Sequence, residues 1–240
     1  MSDEPTDDHQ YSAGEGFDLD PPELEVDPEQ VDPVDSRALA DLLDEQQLST
    51  DRVDAEELLD VALSYMQINR FEQATDALER VAQVTDDPRL EQEARVNKGV
   101  AHGRLEEYDA AIGAYREALR IDDDSDHAAT AETNLAYALW ESGATEQALE
   151  HAERAVEIDP RFGQAWYNRG FFLAERGLHE DAVNGFDNAL RLGFRNAEIL
   201  EEKAAALEQL GRDEEAEELS EEADELRQRA EQELVESERE

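Results

Sequence analysis

Asp122, Asp124 and Asp126 fall at alternate positions in the run Asp-Asp-Asp-Ser-Asp-His that spans 122 to 127. Carboxylates at this spacing can converge on one hard cation, as in a calcium loop. Such a loop also needs glycine at its sixth position and glutamate at its twelfth. His127 and Thr133 stand there instead, so the run reads as an acidic linker between helices. His9, His102, His127, His151 and His179 show no metal-ligand spacing relative to one another. His102 falls on an inward helical slot and reads as a packed histidine. The chain has no cysteine, hence no thiolate chemistry and no disulfide framework. It carries no phosphate-cradling glycine loop and no nucleophile elbow. Its 65 acidic residues make carboxylate pairs so common that none marks an acid–base couple. These residues describe a protein that is not an enzyme and that takes no metal and no cofactor.

The formal charge of -44, from 65 acidic against 21 basic residues, repels phosphate backbones and anionic lipid. Nucleic acid and membrane are therefore excluded as partners. No apolar run approaches the roughly 20 residues that span a bilayer. The opening MSDEPTDDHQ lacks the basic and apolar regions of a secretory signal, and the expected location is the cytoplasm. Lys98 and Lys203 are the only lysines beside 19 arginines, and acidic residues run the whole length. In these respects the chain resembles proteins of salt-loving archaea. In about 1 M salt the Debye length is ~3 Å, so like charges hardly repel.

Composition changes along the chain. Residues 1–35 hold 13 acidic residues, five of the seven prolines and no lysine or arginine. Such a segment cannot bury enough apolar area to offset its ordering entropy, so a disordered acidic tail is expected, either purely solvating or an interaction tail. Residues 36–53 open on a short leading helix, with Leu39, Leu42 and Leu43 on one face. From Asp54 onward the pattern is helix after helix. Asp54 with Glu57 has capping-box spacing, and Asp87 precedes Pro88 as a cap before a first-turn proline. No useful length alternates with period two, so no sheet is expected.

Shifting the chain by 34 residues superposes Gly143, Gly177 and Gly211, then Ala148, Ala182 and Ala216, then Ala155, Ala189 and Ala223. A copy without this spacing lies further back: Gly99, Ala111, Tyr115 and Ala118 match Gly170, Ala182, Phe186 and Ala189. A fainter one holds Ala62, Tyr65, Phe71, Ala74 and Leu78. Trp166, Gly170, Leu173, Ala182, Phe186 and Ala189, with Pro160 closing the preceding unit, resemble the tetratricopeptide repeat, a helix-turn-helix unit of about 34 residues. The resemblance implies an all-α fold: a right-handed superhelix, or α-solenoid, of about five stacked units. Their expected bounds are 55–88, 92–125, 129–162, 163–196 and 197–230, with 231–240 ending a polar C-terminal capping helix. Three departures stand out: Glu132 in place of an aromatic, Phe194 in place of a closing proline, and a three-residue insertion between units two and three.

No single unit of this kind can bury its apolar face, so neighbours must stack. The resemblance implies that the first helix of each unit lines a concave groove. One face traced through units two to four gives Asn97, Val100 and Arg104, then Asn134, Tyr137 and Trp140, then Tyr167, Asn168 and Phe171. Aromatic and apolar side chains with a recurring asparagine can grip a peptide through apolar anchors and backbone hydrogen bonds. Local hydrogen bonding by the asparagines is the alternative. The flanking acids favour a ligand with basic or neutral flanks. Some tetratricopeptide relatives clamp a partner's C-terminal carboxylate with lysine and arginine; here Glu93, Glu141, Glu175 and Glu201 lie on or beside the groove and no lysine does. The expected function is a protein-interaction scaffold with a protein or peptide partner. A self-associating chain and an accessory subunit are the alternatives.

Overall fold

Ten α-helices follow one another through the described residues, with no strand among them. The computed structural model describes residues 54–237, with side chains to 232; the expected acidic tail at 1–35 and leading helix at 36–53 lie outside the described residues. The helices form five hairpins: α1 (Ala55–Gln67) with α2 (Phe71–Val84), α3 (Pro88–Arg104) with α4 (Tyr108–Ile121), and α5 (Asp126–Glu141) with α6 (Thr145–Ile158). The series ends with α7 (Gly163–Glu175) and α8 (His179–Arg191), then α9 (Ala197–Gln209) and α10 (Asp213–Ser237).

Local chemistry sets these bounds. Asp54, Asp87, Ser125 and Asn196 cap α1, α3, α5 and α9 by accepting from backbone amides at 2.9–3.0 Å. The Asp54 bond reaches the amide of Glu56, not that of the expected partner Glu57. Each hairpin turn is three residues long and passes through one left-handed residue: Asn69, Glu106, Gly143, Gly177 and Gly211, with φ between 58° and 85°. Glycine suits this position because it has no Cβ to clash. Asn69 and Glu106 hold the same place in the first two hairpins, offset by 37 residues, where the 34-residue shift does not find them. Asparagine tolerates that conformation; glutamate is penalised by roughly 1–2 kcal/mol. Glu106→Gly is therefore expected to stabilise the protein by about 1 kcal/mol, read as a higher midpoint in urea. An unchanged or lowered midpoint would contradict it.

The three-residue insertion is absorbed into helix. α3 and α5 have 17 and 16 residues, against 13 in α1, α7 and α9. Asp126 and His127, expected in a linker, form the first turn of α5 after the Ser125 cap. Gln92 ties this junction down from α3. Its buried amide donates to the carbonyls of Ala118 and Asp122 at 3.2 and 2.5 Å, and its oxygen accepts from the Ser125 hydroxyl at 2.9 Å.

Packing explains the small residues. A Cβ on Gly99 would lie 2.4 Å from the Tyr115 ring, and one on Gly170 would lie 2.9 Å from Phe186. Gly185 approaches Gly170 even more tightly: its Cβ would lie 2.8 Å from the Gly170 Cα. Helices α7 and α8 thus cross backbone to backbone, and Phe172, Phe186 and Leu173 fill the space beside them. Phe194, in the place of a closing proline, packs against Tyr167 with ring centroids 5.5 Å apart. In the place of the third unit's aromatic, the buried Glu132 pairs with the partly exposed His151 at 2.5 Å. On α10, Ala216, Leu219, Ala223 and Leu226 form the apolar stripe, while the rest of its described surface is mostly charged.

Curvature follows from which helices meet. The first helices of successive units, α1, α3, α5, α7 and α9, pack on one another in turn, whereas the second helices make at most marginal contact with each other. Closer spacing in one layer than in the other bends a stack toward the closer layer. The first helices therefore line the inside of the bend and the second helices the outside.

Candidate partner-binding face

The inner layer exposes aromatic side chains where the first helices end. Tyr137 on α5 is 50% exposed, one of the few large apolar-bodied side chains left open to solvent. It borders a pocket of about 430 Å3 between α3, α4 and α5. Val100, Arg104, Tyr108, Tyr115 and Asn134 also line this pocket. Four of the nine expected groove residues are thereby brought together: Val100, Arg104, Asn134 and Tyr137.

A second aromatic group continues along α5 and α7. Trp140 meets Phe171 edge-on and Phe172 face to face, both at 5.3 Å. Tyr167 lies 6.4 Å from Phe171 and 6.0 Å from Phe186. Trp140, Tyr167 and Phe171 are half-buried. They present one ring edge or face and use the rest for packing between units.

Two asparagines behave otherwise than expected. Asn168 is buried, and its amide donates across to the Thr133 carbonyl at 3.0 Å. Adjacent residues on a helix point about 100° apart and cannot share a face. With Tyr167 on the groove, Asn168 turns toward the preceding unit, and it leaves the candidate face. Asn97 donates to the Glu93 carbonyl one turn back at 3.0 Å, so its amide is engaged in its own helix. Asn134 remains on the pocket wall.

Acidic groups gather around the tyrosines. Partial burial, then the carboxylate of Glu141 beside its hydroxyl and the more distant charge of Glu198, push Tyr137 up to about 12. Burial, then Glu198 and Glu202, also raise Tyr167. Burial and the charges of Glu175, Glu198 and Glu201 raise the Glu202 carboxyl above its usual value. The lysines sit elsewhere: Lys98 pairs with Glu79 at 2.7 Å and Lys203 with Asp187 at 2.6 Å. Each of these pairs joins a first helix to the second helix before it. Burial alone would raise Glu79, but the Lys98 ammonium outweighs it and holds the carboxyl below its ordinary range.

The residues singled out for chemistry do other work. An oxygen of Asp122 accepts from the Asp124 amide at 3.0 Å, while Asp126 stands in the first turn of α5. Among the described residues, no group of three or more His, Cys, Asp or Glu side chains is placed to hold a metal ion. His102, expected as a packed histidine on an inward helical slot, has a side chain only 16% exposed and pairs with Glu107 of its hairpin turn at 2.7 Å. His127 lies 3.9 Å from Glu93. Among the described residues, no helix is long and apolar enough to cross a membrane.

A stack of helical hairpins with a first-helix inner face defines an α-solenoid of the repeat-protein class. Two tetratricopeptide repeat family models match, over residues 90–161 and 133–193. Over residues 90–193 the chain is therefore built of tetratricopeptide repeats. It is 31% identical over 104 residues to the small glutamine-rich tetratricopeptide repeat-containing protein 2 of Mycosarcoma maydis, covering 43% of this chain and 29% of that protein. It is 30% identical over 148 residues to the Hsp70-Hsp90 organizing protein of Triticum aestivum, covering 60% and 24%. The chain thus spans about a quarter of the length of these curated relatives. Among solved structures, BtubC of P. vanneervenii superposes with a TM-score of 0.64 at 17% identity, over 81% of this chain and 87% of that one. MamA superposes with a TM-score of 0.59 at 17% identity, over 72% and 97%. These likenesses establish the fold.

Proposed function

We propose that the protein is a non-enzymatic, cytoplasmic interaction scaffold that receives a protein or peptide partner on the inner face of α3, α5 and α7. The observation that carries this reading is Tyr137, half-exposed on the concave layer beside a pocket with aromatic walls. Exposed aromatic groups in a concavity are frequent energetic anchors, because they bury large area at little entropic cost. The Hsp70-Hsp90 organizing protein, whose name joins it to Hsp70 and Hsp90, supports a scaffolding role by kinship. Its partners do not transfer with that kinship. A carboxylate clamp needs several cations in the groove; both lysines here are committed to pairs between units, and Arg104 is the one basic side chain among the nine traced groove positions.

The test is a pull-down in about 2 M potassium chloride, where general charge attraction is screened. Binding of the captured partner is then titrated. Tyr137→Ala removes an anchor without opening the core and should weaken binding at least about tenfold. A same-sized loss on the outer helices, at Glu146→Ala on α6, with none at Tyr137→Ala, would move the binding surface to the outside.

A further inference from the structure

The first helices carry a second pattern beyond the aromatic one. Glu141 ends α5, Glu175 ends α7, and Glu198 opens α9 with Glu202 one turn on. Among the described residues, no ion pair reaches any of these four carboxylates. Glu201 beside them has its own cation in Arg227 of α10. Trp140 of α5 meets Phe171 of α7, and α7 packs in turn on α9, so the three helices converge on one patch. The crowding is unfavourable in the free protein, since Glu175, Glu198 and Glu201 all oppose ionisation of Glu202. At the α3 side of the neighbouring pocket, the exposed Arg104 reverses the sign of the charge.

We propose that the inner face of α5, α7 and α9 is a docking surface for a basic peptide, seating an arginine or lysine against Tyr137 and Tyr167 beside Glu198 and Glu202. The inference deepens the groove reading above and rests on it. Charge complementarity selects the occupant. A cation placed here neutralises carboxylates that no basic side chain pairs, and it lies over phenol rings whose faces attract positive charge. The aliphatic stem of either side chain can also cover the half-buried Phe171 and Trp140. An acidic tail would meet four carboxylates whose charge no cation offsets. The net charge of -44 attracts any cation from a distance; contact with these side chains is a separate effect that survives screening, because the Debye length at molar salt is only ~3 Å.

The experiment pans a random dodecapeptide library displayed on phage against the full chain in about 2 M potassium chloride. The strongest binder is then synthesised with a fluorescent label and titrated. Selected peptides should be enriched in arginine or lysine next to apolar or aromatic residues. The labelled peptide should bind at least about tenfold more weakly to Glu198→Gln with Glu202→Gln. It should bind unchanged to Glu146→Gln with Glu150→Gln, which removes the same charge from the exposed side of α6. Helical circular dichroism confirms that both variants fold, and neutralising a repulsive pair is not expected to unfold the first. Peptides without basic enrichment that still lose affinity on Tyr137→Ala would overturn this proposal and leave the groove reading standing. Basic peptides weakened equally by both glutamate pairs would also overturn it, by showing attraction without contact. Peptides indifferent to Tyr137→Ala and to both glutamate pairs would overturn the proposal and the groove reading together.

Discussion

Gly185→Leu is expected to destabilise the protein by about 3 kcal/mol or more, the upper end of overpacking effects. The three nearest neighbours of a Cβ at this site are backbone: the Gly170 Cα at 2.8 Å, the Gly170 nitrogen at 3.0 Å and the Trp166 carbonyl oxygen at 3.1 Å. A flexible side chain could turn aside; two helix backbones can only separate. Separation would pull Phe186 and Phe172 out of contacts that bury them fully. For a domain of this size, such a loss lowers the melting temperature by roughly 6–12 °C. Gly113→Leu on α4 is the matched control. Gly113 is exposed, and nothing lies within 4 Å of its would-be Cβ. There, leucine should stabilise the helix by a few tenths of a kcal/mol to about 1 kcal/mol. Equal effects at the two sites, read from thermal melts in the same salt, would contradict the close crossing of α7 and α8.

Removing salt is expected to have the second large effect. With a formal charge of -44, the folded chain is held against strong self-repulsion. Pairs that join units, such as Lys98 with Glu79, Lys203 with Asp187 and Arg169 with Glu153, are few against 65 carboxylates. In about 2 M salt the repulsion is screened within a few ångströms; at about 0.1 M it extends to ~10 Å, about the width of one helix and so from each helix to its neighbours. Helical circular dichroism at 222 nm should therefore show a melting point lower by 10 °C or more at low salt, on the order of several kcal/mol of lost stability. A melting point independent of salt would remove the likeness to proteins of salt-loving organisms.

What could be read from the sequence, and what could not, follows from the repeat. Gly170, Ala182 and Phe186 recur in register, so their packing role is legible from spacing alone. Gly185 has no glycine counterpart: His151 and Leu219 stand 34 residues to either side. Its role appears only where two particular backbones meet. The turn residues Asn69 and Glu106 were hidden by the 37-residue spacing of the early units, which places two non-glycine residues at a left-handed position. Recurrence also misleads. Asn168 shares its register with Asn134 and sits next to groove-facing Tyr167, yet helical rotation turns it inward to the Thr133 carbonyl. The patch of Glu141, Glu198 and Glu202 around the tyrosines was equally hard to see. In so acidic a chain, a carboxylate becomes informative only when the structure shows which cations fail to reach it.

The inner face as the binding surface is tested most directly by photocrosslinking from within it. A benzophenone amino acid is placed at Tyr137 in one protein and at Glu146, on the outer α6, in another. Both are irradiated with a captured partner in molar potassium chloride. The account predicts a crosslinked adduct from position 137, abolished by excess unlabelled partner, and none from position 146. A competed adduct from position 146 with none from 137 would place the partner on the outside of the bend and contradict the account.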